Sequence, residues 1–340
     1  MTASTGTPSI SVVVPAYRAA HLLPRVLAPL MAALAAGEVQ EVIVVDDCSP
    51  DDTAEVARSL GATVIVTPRN GGPGLARNLA AEHATGDILW LVDSDVIAAP
   101  GGAAVIRAGF AEPGLKAVFG SYDELPDGTP WFSRYKNLVH RYYHQRGKRE
   151  ATTFWAGCGA IERDFFLKVG GFDTETYRVP SIEDIELGTR IHAAGGRILL
   201  LPQLEGKHLK VWSIRNSVHT DIFRRALPWA RLMLAREGVP NDLNTSQGER
   251  LRALVAGLLV LSILALPLAP GFWPAPLALA VLAGALNWSL LRYLARHGGV
   301  LFALAGLAYH QFYYLYSGTV FAWCLFERYV LRRRDRLGVS

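Results

Sequence analysis

Two carboxylates two residues apart close an apolar run, Asp87-Ile-Leu-Trp-Leu-Val-Asp93-Ser-Asp95. In an extended segment, residues i and i+2 project to the same side. Asp93 and Asp95 can therefore converge on one divalent cation at the carboxyl end of a strand, the edge at which open α/β sheets bind ligands. Hard oxygen donors that leave coordination positions open suit Mg2+ or Mn2+ bridging to a diphosphate. The same tripeptide also fits a solvated turn, so its weight comes from its company. Asn70-Gly-Gly-Pro-Gly74 reads as a flexible loop whose backbone can approach a nucleotide, with Arg77 as a cation on the following helix. It is not a dinucleotide-binding fingerprint, because the third small position of that motif falls on Arg77. Gly157 and Gly159 sit amid Trp155 and Cys158, and glycine in a strand often marks close approach of a ligand or backbone. Glu183-Asp184 opens a helix. Arg190, farther along it, can reach phosphate or pair with Glu183 or Glu186.

These residues need a frame. Ile10–Val14, Glu41–Val45, Ala62–Thr67 and Ile88–Val92 read as strands, and helical stretches separate them. Such alternation predicts a parallel, doubly wound sheet. Lys116–Ser121, Thr153–Ile161 and Arg197–Leu201 continue the α/β pattern, and Gly206-Lys-His208 follows the last of these.

The chain has 340 residues, 51% of them hydrophobic, and a formal charge of +4. That charge is too mild to argue for nucleic acid. Three cysteines without CxxC spacing are too few for a disulfide framework or a zinc site and fit a reducing compartment. The first apolar run is short and lacks a basic flank, so no cleaved signal peptide is expected. The apolar excess begins near Leu251.

The ordered motifs Ser-Val-Val-Val-Pro-Ala-Tyr17, Val-Val-Asp-Asp-Cys-Ser49, Asn70 through Asn78, Asp93-Ser-Asp95, Val-Gly-Gly-Phe-Asp173 and Glu183-Asp184 resemble the family 2 glycosyltransferases over roughly residues 9–215. The resemblance implies the GT-A fold, a Rossmann-like nucleotide-diphospho-sugar transferase domain. It implies an inverting enzyme using a nucleotide-diphosphate sugar, commonly uridine-linked, and a divalent metal. Carried over position by position, Asp47 would read the nucleobase, and Pro15, Ala16 and Tyr17 would line the nucleotide pocket. Asp95 and Asp93 would hold the metal, and His208 matches a position that some relatives use as a further ligand. Asp184, beside Glu183, resembles the catalytic base. The chemistry agrees: inversion needs one carboxylate to take the acceptor's proton, while a metal stabilises charge on the departing diphosphate. The Gln-x-x-Arg-Trp motif of processive synthases is missing; Arg224-Arg-Ala-Leu-Pro-Trp229 is the nearest stretch. Addition of a single sugar is expected.

Leu251–Pro270 and Phe272–Leu291 approach the ~20 residues needed to cross a bilayer. Arg250 and Arg252 precede this hairpin, and Arg292 and Arg296 follow it. Both flanks then belong on the cytoplasmic side. Val300–Phe326 is a third apolar run. One more crossing there would put the basic tail outside, against the same rule, and the run is too short for two. A span is expected, with a re-entrant or interfacial helix as the alternative. Trp131, Tyr135, Leu138 and Tyr142 form an aromatic stripe among basic residues, suited to a membrane-surface helix or to packing on a globular core.

The resulting expectation is a cytoplasmic catalytic domain over residues 1–212 and an interfacial linker over 213–249. A membrane domain of two to three helices follows over 250–331, and then a basic tail over 332–340. The function expected is transfer to a hydroxyl of a lipid-linked acceptor or glycolipid of the cell envelope, at the cytoplasmic membrane. Two rivals stand: a polyprenyl-phosphate glycosyltransferase, and a catalytically silent binding or scaffold protein on the same fold.

Overall fold

The computed structural model describes residues 7–127, 130–235 and 245–333. Linker residues 236–244 and tail residues 334–340 lie outside the described chain. Two compact units result, one from residues 7–127 with 147–210, the other from 130–146 with 211–333. Residues 130–146, expected within the catalytic domain, thus group with the C-terminal helices.

The first unit carries β1 (Ile10–Ala16), α1 (Leu23–Ala35), β2 (Glu41–Asp46), α2 (Thr53–Ser59), β3 (Thr63–Val66), α3 (Gly72–His83), β4 (Ile88–Val92), β5 (Val96–Ala98), α4 (Gly102–Phe110) and β6 (Leu115–Tyr122). The chain then passes through α5 (Trp131–Arg146), which belongs to the second unit. It returns as β7 (Cys158–Glu162), α6 (Arg163–Lys168), α7 (Glu183–Ala193) and β8 (Arg197–His208). The eight strands form one sheet in the order β3-β2-β1-β4-β7-β6-β8-β5. β3, β2, β1 and β4 are parallel. β1 and β4 are buried along their whole length, as strands covered on both faces must be. The rest is mixed: β7 runs antiparallel to β4 and β6, and β5 antiparallel to β8. The parallel, doubly wound expectation drawn from the first four strands holds for them, and the later strands add one more parallel pair, β6 with β8, among antiparallel ones. An apolar run marks a buried strand but carries no sign of its direction.

The second unit is helical. After α5 come α8 (Ile214–His219), a π-helical stretch (Thr220–Ala226), α9 (Leu227–Ala235), α10 (Gln247–Ala265), α11 (Pro274–Leu286) and α12 (Trp288–Tyr329). Gly299 breaks α12 with φ 81° and ψ 176°. The aromatic stripe of α5 is core: Tyr135, Leu138 and Tyr142 are buried in a cluster with Trp212, Leu290, Leu294 and Tyr309, and Trp131 alone stays exposed. The membrane-surface reading of that stripe is corrected, because its apolar face is already covered by α12.

Buried polar groups in this unit are wired together. Tyr143 donates to Glu249 at 2.8 Å and lies 3.0 Å from His310 Nε2. A hydroxyl has one proton, so His310 Nε2 donates to Tyr143. Nδ1 must then accept from Tyr135, 2.7 Å away. Tyr314 also donates to Glu249, at 2.6 Å.

Among the described residues no single helix is long and apolar enough to cross a membrane. The segments Pro270–Leu286 and Trp288–Tyr329 pass such a test only together, and they are bent by 68° at their junction. The two to three separate spanning helices expected from the apolar runs are not present as such among the described residues. The second run ends early, at Asn287, whose side chain turns back to donate to Ala283 O at 2.9 Å.

Candidate active site

Parallel pairing brings the carboxyl ends of β1, β2 and β4 to one edge of the sheet, and with them Tyr17, Asp47 and Asp93. Pro15 and Ala16 are buried in β1 opposite Val45 and Asp46, so they shape the edge from beneath. Tyr17 is 44% exposed and presents its ring outward, with the Arg18 guanidinium 5.3 Å from the ring centroid. Asp47 is buried. Its carboxylate accepts from the backbone N–H of Gly71 (2.9 Å) and Gly72 (2.7 Å) and from the Thr67 hydroxyl (3.0 Å). It therefore fixes the loop that opens α3, a structural duty beyond the base-reading role that its motif suggests.

Asp95 and His208 are brought together by backbone pairing. β5 begins just after Asp95, and its Val96 pairs with His208. Leu209 N–H donates to Asp95 O at 2.8 Å. The side chains meet with His208 Nε2 3.5 Å from Asp95 Oδ2. Burial works against ionising Asp95, but the hydrogen bond and charge of His208, with Lys210 nearby, hold its carboxyl below the ordinary aspartate value. Tyr122, at the end of β6, stacks on the imidazole at 4.3 Å with an 8° interplanar angle. Trp155 meets Tyr122 edge-on at 4.9 Å.

Asp93 has a different partner. Arg77, 3% exposed, holds Asp93 Oδ1 at 2.5 Å and lies 4.0 Å from Glu183 Oε1. One buried cation thus faces two carboxylates. Asp184, next to Glu183 at the start of α7, has no ion-pair partner among the described residues. Its oxygens accept from its own helix at Ile185 N–H (2.8 Å) and from Ala156 N–H (3.3 Å). Burial, and then the negative charge of Glu183, push the Asp184 carboxyl up to about 7. Such a group can accept a proton near neutral pH. α7 reaches this position because Gly188 has no side chain: a Cβ there would stand 2.5 Å from Phe154 N.

Two expected site residues carry structural contacts, and of the two readings of Arg190 the ion pair with Glu186 is the one present. Arg190 is not free for phosphate. Its guanidinium pairs with Glu186 at 2.7 Å and donates to Val169 O (2.7 Å) and Gly171 O (2.6 Å), so it ties α7 to the loop before Phe172. Gly157 lies just before β7 rather than in a strand. A Cβ there would collide with the Trp155 indole at 2.6 Å, and its carbonyl accepts the Asp93 N–H at 3.2 Å. Its small size serves packing and the turn at Asp93. Tyr122 and Trp155 had no motif to announce them as site residues. Among the described residues, no group of three or more His, Cys, Asp or Glu side chains is placed to hold a metal.

The chain matches the model of glycosyl transferase family 2 over residues 11–170 and a second, the N-terminal domain of galactosyltransferase, over residues 136–211. It is 31% identical over 235 residues to a validoxylamine A glucosyltransferase of Streptomyces hygroscopicus, with 57% of this chain and 53% of that protein covered. The chain thus spans about half the length of that relative. An uncharacterized glycosyltransferase of Mycobacterium bovis is 30% identical over 216 residues, covering 62% of this chain and 93% of the relative. A mannosyltransferase from Pyrobaculum calidifontis, solved with GDP-Man and Mn2+, shares the fold at a TM-score of 0.55 and 21% identity, over 94% of this chain and 88% of that one. The parallel edge, the Asp93–Asp95 turn and the acidic start of α7 occur within a sequence that covers nearly all of a glycosyltransferase relative, and this chain belongs to the family 2 glycosyltransferases.

Proposed function

We propose that this glycosyltransferase moves one sugar, with inversion, from a nucleoside diphosphate to a hydroxyl of a lipid-linked acceptor at the cytoplasmic face of a membrane. The carrying observation is the division of labour between two adjacent acids. Arg77 stands beside Glu183, while Asp184 is without an ion-pair partner among the described residues and is poised near neutrality. In the reaction, the acceptor oxygen attacks the anomeric carbon on the face opposite the phosphate. The carbon–oxygen bond to the diphosphate breaks, the electron pair leaves with the diphosphate, and the hydroxyl proton passes to Asp184. Tyr17 offers an exposed ring at the sheet edge for the donor's base, and Asp47, at the end of β2, holds the Gly71–Gly72 backbone.

The family implies a divalent cation, and the Pyrobaculum relative was solved with Mn2+. Asp95 and His208 suit one: a carboxylate oxygen and an imidazole nitrogen face each other from paired strands, a donor set that Mn2+ accepts. Asp93 has one oxygen committed to Arg77 and is left a supporting part. When bound, the cation would stabilise charge developing on the diphosphate.

A membrane acceptor is supported by the second unit, where large apolar side chains of α10 and α11 and of the turn between them are exposed, among them Leu264, Leu268, Trp273 and Val281. The test of the whole reading is Asp184→Asn, which keeps shape and removes basicity. Turnover on a hydroxyl acceptor should fall by about 10²–10⁴ with donor affinity little changed. Near-normal turnover would assign the reaction to a phosphate acceptor, already ionised, or the base to Glu183.

A further inference from the structure

We infer that the α10–α11 hairpin enters one side of an anionic bilayer and turns back inside it, so that this chain is seated in the membrane without crossing it. The inference rests on the membrane reading above and adds the depth and mode of insertion. It starts from length. α11 has 13 residues, about 20 Å at the helical rise, against a hydrocarbon core of about 30 Å. α10 has 19 residues, but its first turns are not free to enter lipid. Glu249 is buried and held by Tyr143 and Tyr314. Arg252 Nε donates to Leu286 O at 2.9 Å.

That last contact fixes the geometry. Arg252 joins the start of the apolar part of α10 to the last residue of α11, so it marks the base of the hairpin at a polar level. Everything between base and tip is one α11 length deep. The face is apolar to the end: Leu258, Leu261, Leu264 and Val281 are exposed along the arms, and Leu268 (90%) and Trp273 (61%) at the tip. At the base, Arg250 is exposed and Arg292 and Arg296 reach the surface, a basic collar that matches anionic headgroups. The bent pair that could cross by composition turns by 68°, and Arg292 and Arg296 follow immediately after the bend. A helix that must carry those charges through hydrocarbon is disfavoured. With no crossing, the basic residues before and after the apolar runs share one side, and the conflict with the positive-inside rule disappears.

The glycines supply the test. A Cβ at Gly257, Gly271 or Gly284 meets nothing within 4 Å, so each accepts cysteine. Of the native thiols, Cys158 and Cys324 are buried and Cys48 is exposed, so Cys48→Ser silences the background. The full chain is added to sealed vesicles of phosphatidylcholine and phosphatidylglycerol. A membrane-impermeant maleimide is then supplied from outside or trapped in the lumen. Gly271→Cys should float with the vesicles and be labelled from neither side. A fluorophore pre-attached there should be quenched most by lipids brominated in mid-chain, and more than one at position 257 or 284. Labelling of Gly271→Cys by trapped reagent, or deepest quenching at positions 257 and 284, would mean a full crossing and overturn the inference. Labelling from outside with flotation would mean an uninserted tip and overturn it equally. No flotation at all would overturn both the inference and the membrane reading.

Discussion

The Arg77 guanidinium sits between two acids, and its removal should be felt by a third. Arg77→Met takes a positive charge from beside Asp93 and Glu183 and from the field that lowers the Asp184 carboxyl. The acid limb of the rate profile, expected near the Asp184 value of about 7, should move to higher pH. A limb that stays in place would show that Asp184 does not set it. The same carboxyl links stability to pH. Its folded value lies above the 3.8 of an ordinary aspartate, so its contribution is fully present below about 3.8 and is lost as pH rises through about 7. Asp184→Asn should therefore be more stable than the native protein in denaturant titrations above neutrality and show no such gain in acid. Each tenfold difference in proton affinity between folded and unfolded chain is worth about 1.4 kcal/mol. At the other end of the site, Asp95→Ala should abolish Mn2+-dependent nucleotide binding, read by calorimetry. Tyr122→Leu should weaken it through a loosened His208, while Tyr122→Phe, which keeps the stacked ring, should restore it. Spacing picks out Asp93 and Asp95 as a pair, but β4 ends at Val92 and the two acids lie in the turn after it. Strand alternation therefore does not set their directions: Asp93 meets Arg77 and Asp95 meets His208. Arg190 is legible in part. Its ion pair with Glu186, four residues before it, follows from helix spacing, but the carbonyls of Val169 and Gly171 are brought to it by the fold, and nothing near it in sequence announces them.

Elements succeed or fail as carriers of these residues. β1, β2 and β4 are legible because each is an apolar run closed by a polar or turn residue, and their parallel pairing aligns their ends. β5 is not legible: three residues directly after the Asp93–Asp95 turn are too few to show a pattern. Yet β5 pairs with β8 and so sets Asp95 against His208. β8 is also longer than its apolar core, since its last residues alternate in burial and read as loop. α7 depends on Gly188. Gly188→Val would drive a side chain into the backbone at Phe154 and push the helix away from Ala156. Turnover should drop well beyond any loss of thermal stability, which parallel melting and rate measurements would separate. Equal and small losses in both would show that α7 adjusts without moving Asp184.

At the scale of the whole molecule, the sequence marks the change of composition after Leu251 but not the membership of α5. Its aromatic stripe has the spacing of a helix face, and spacing does not say what covers that face. The cover is α12, which buries Tyr135, Leu138 and Tyr142. A truncation that ends before residue 245 removes α10–α12 and strips that cover. Such a protein should bind an apolar dye and aggregate, and Tyr135→Glu with Leu138→Glu in the same truncation should restore solubility. A soluble, dye-silent truncation without those changes would show that α5 finds another cover.

Each unit is drawn from separated stretches of chain, and this has a consequence for biosynthesis. Tyr135 meets His310 across a sequence separation of 175 residues. During translation α5 emerges long before α12, so its apolar face waits without its partner while β7, α7 and β8 are still being made. Segments left waiting in this way are hazards for a chain leaving the ribosome. Nascent chains stalled before Trp288 should engage chaperones or the membrane through α5. Those extended past Tyr329 should let go, giving the enzyme a checkpoint: release only after its last helix has closed over its middle one.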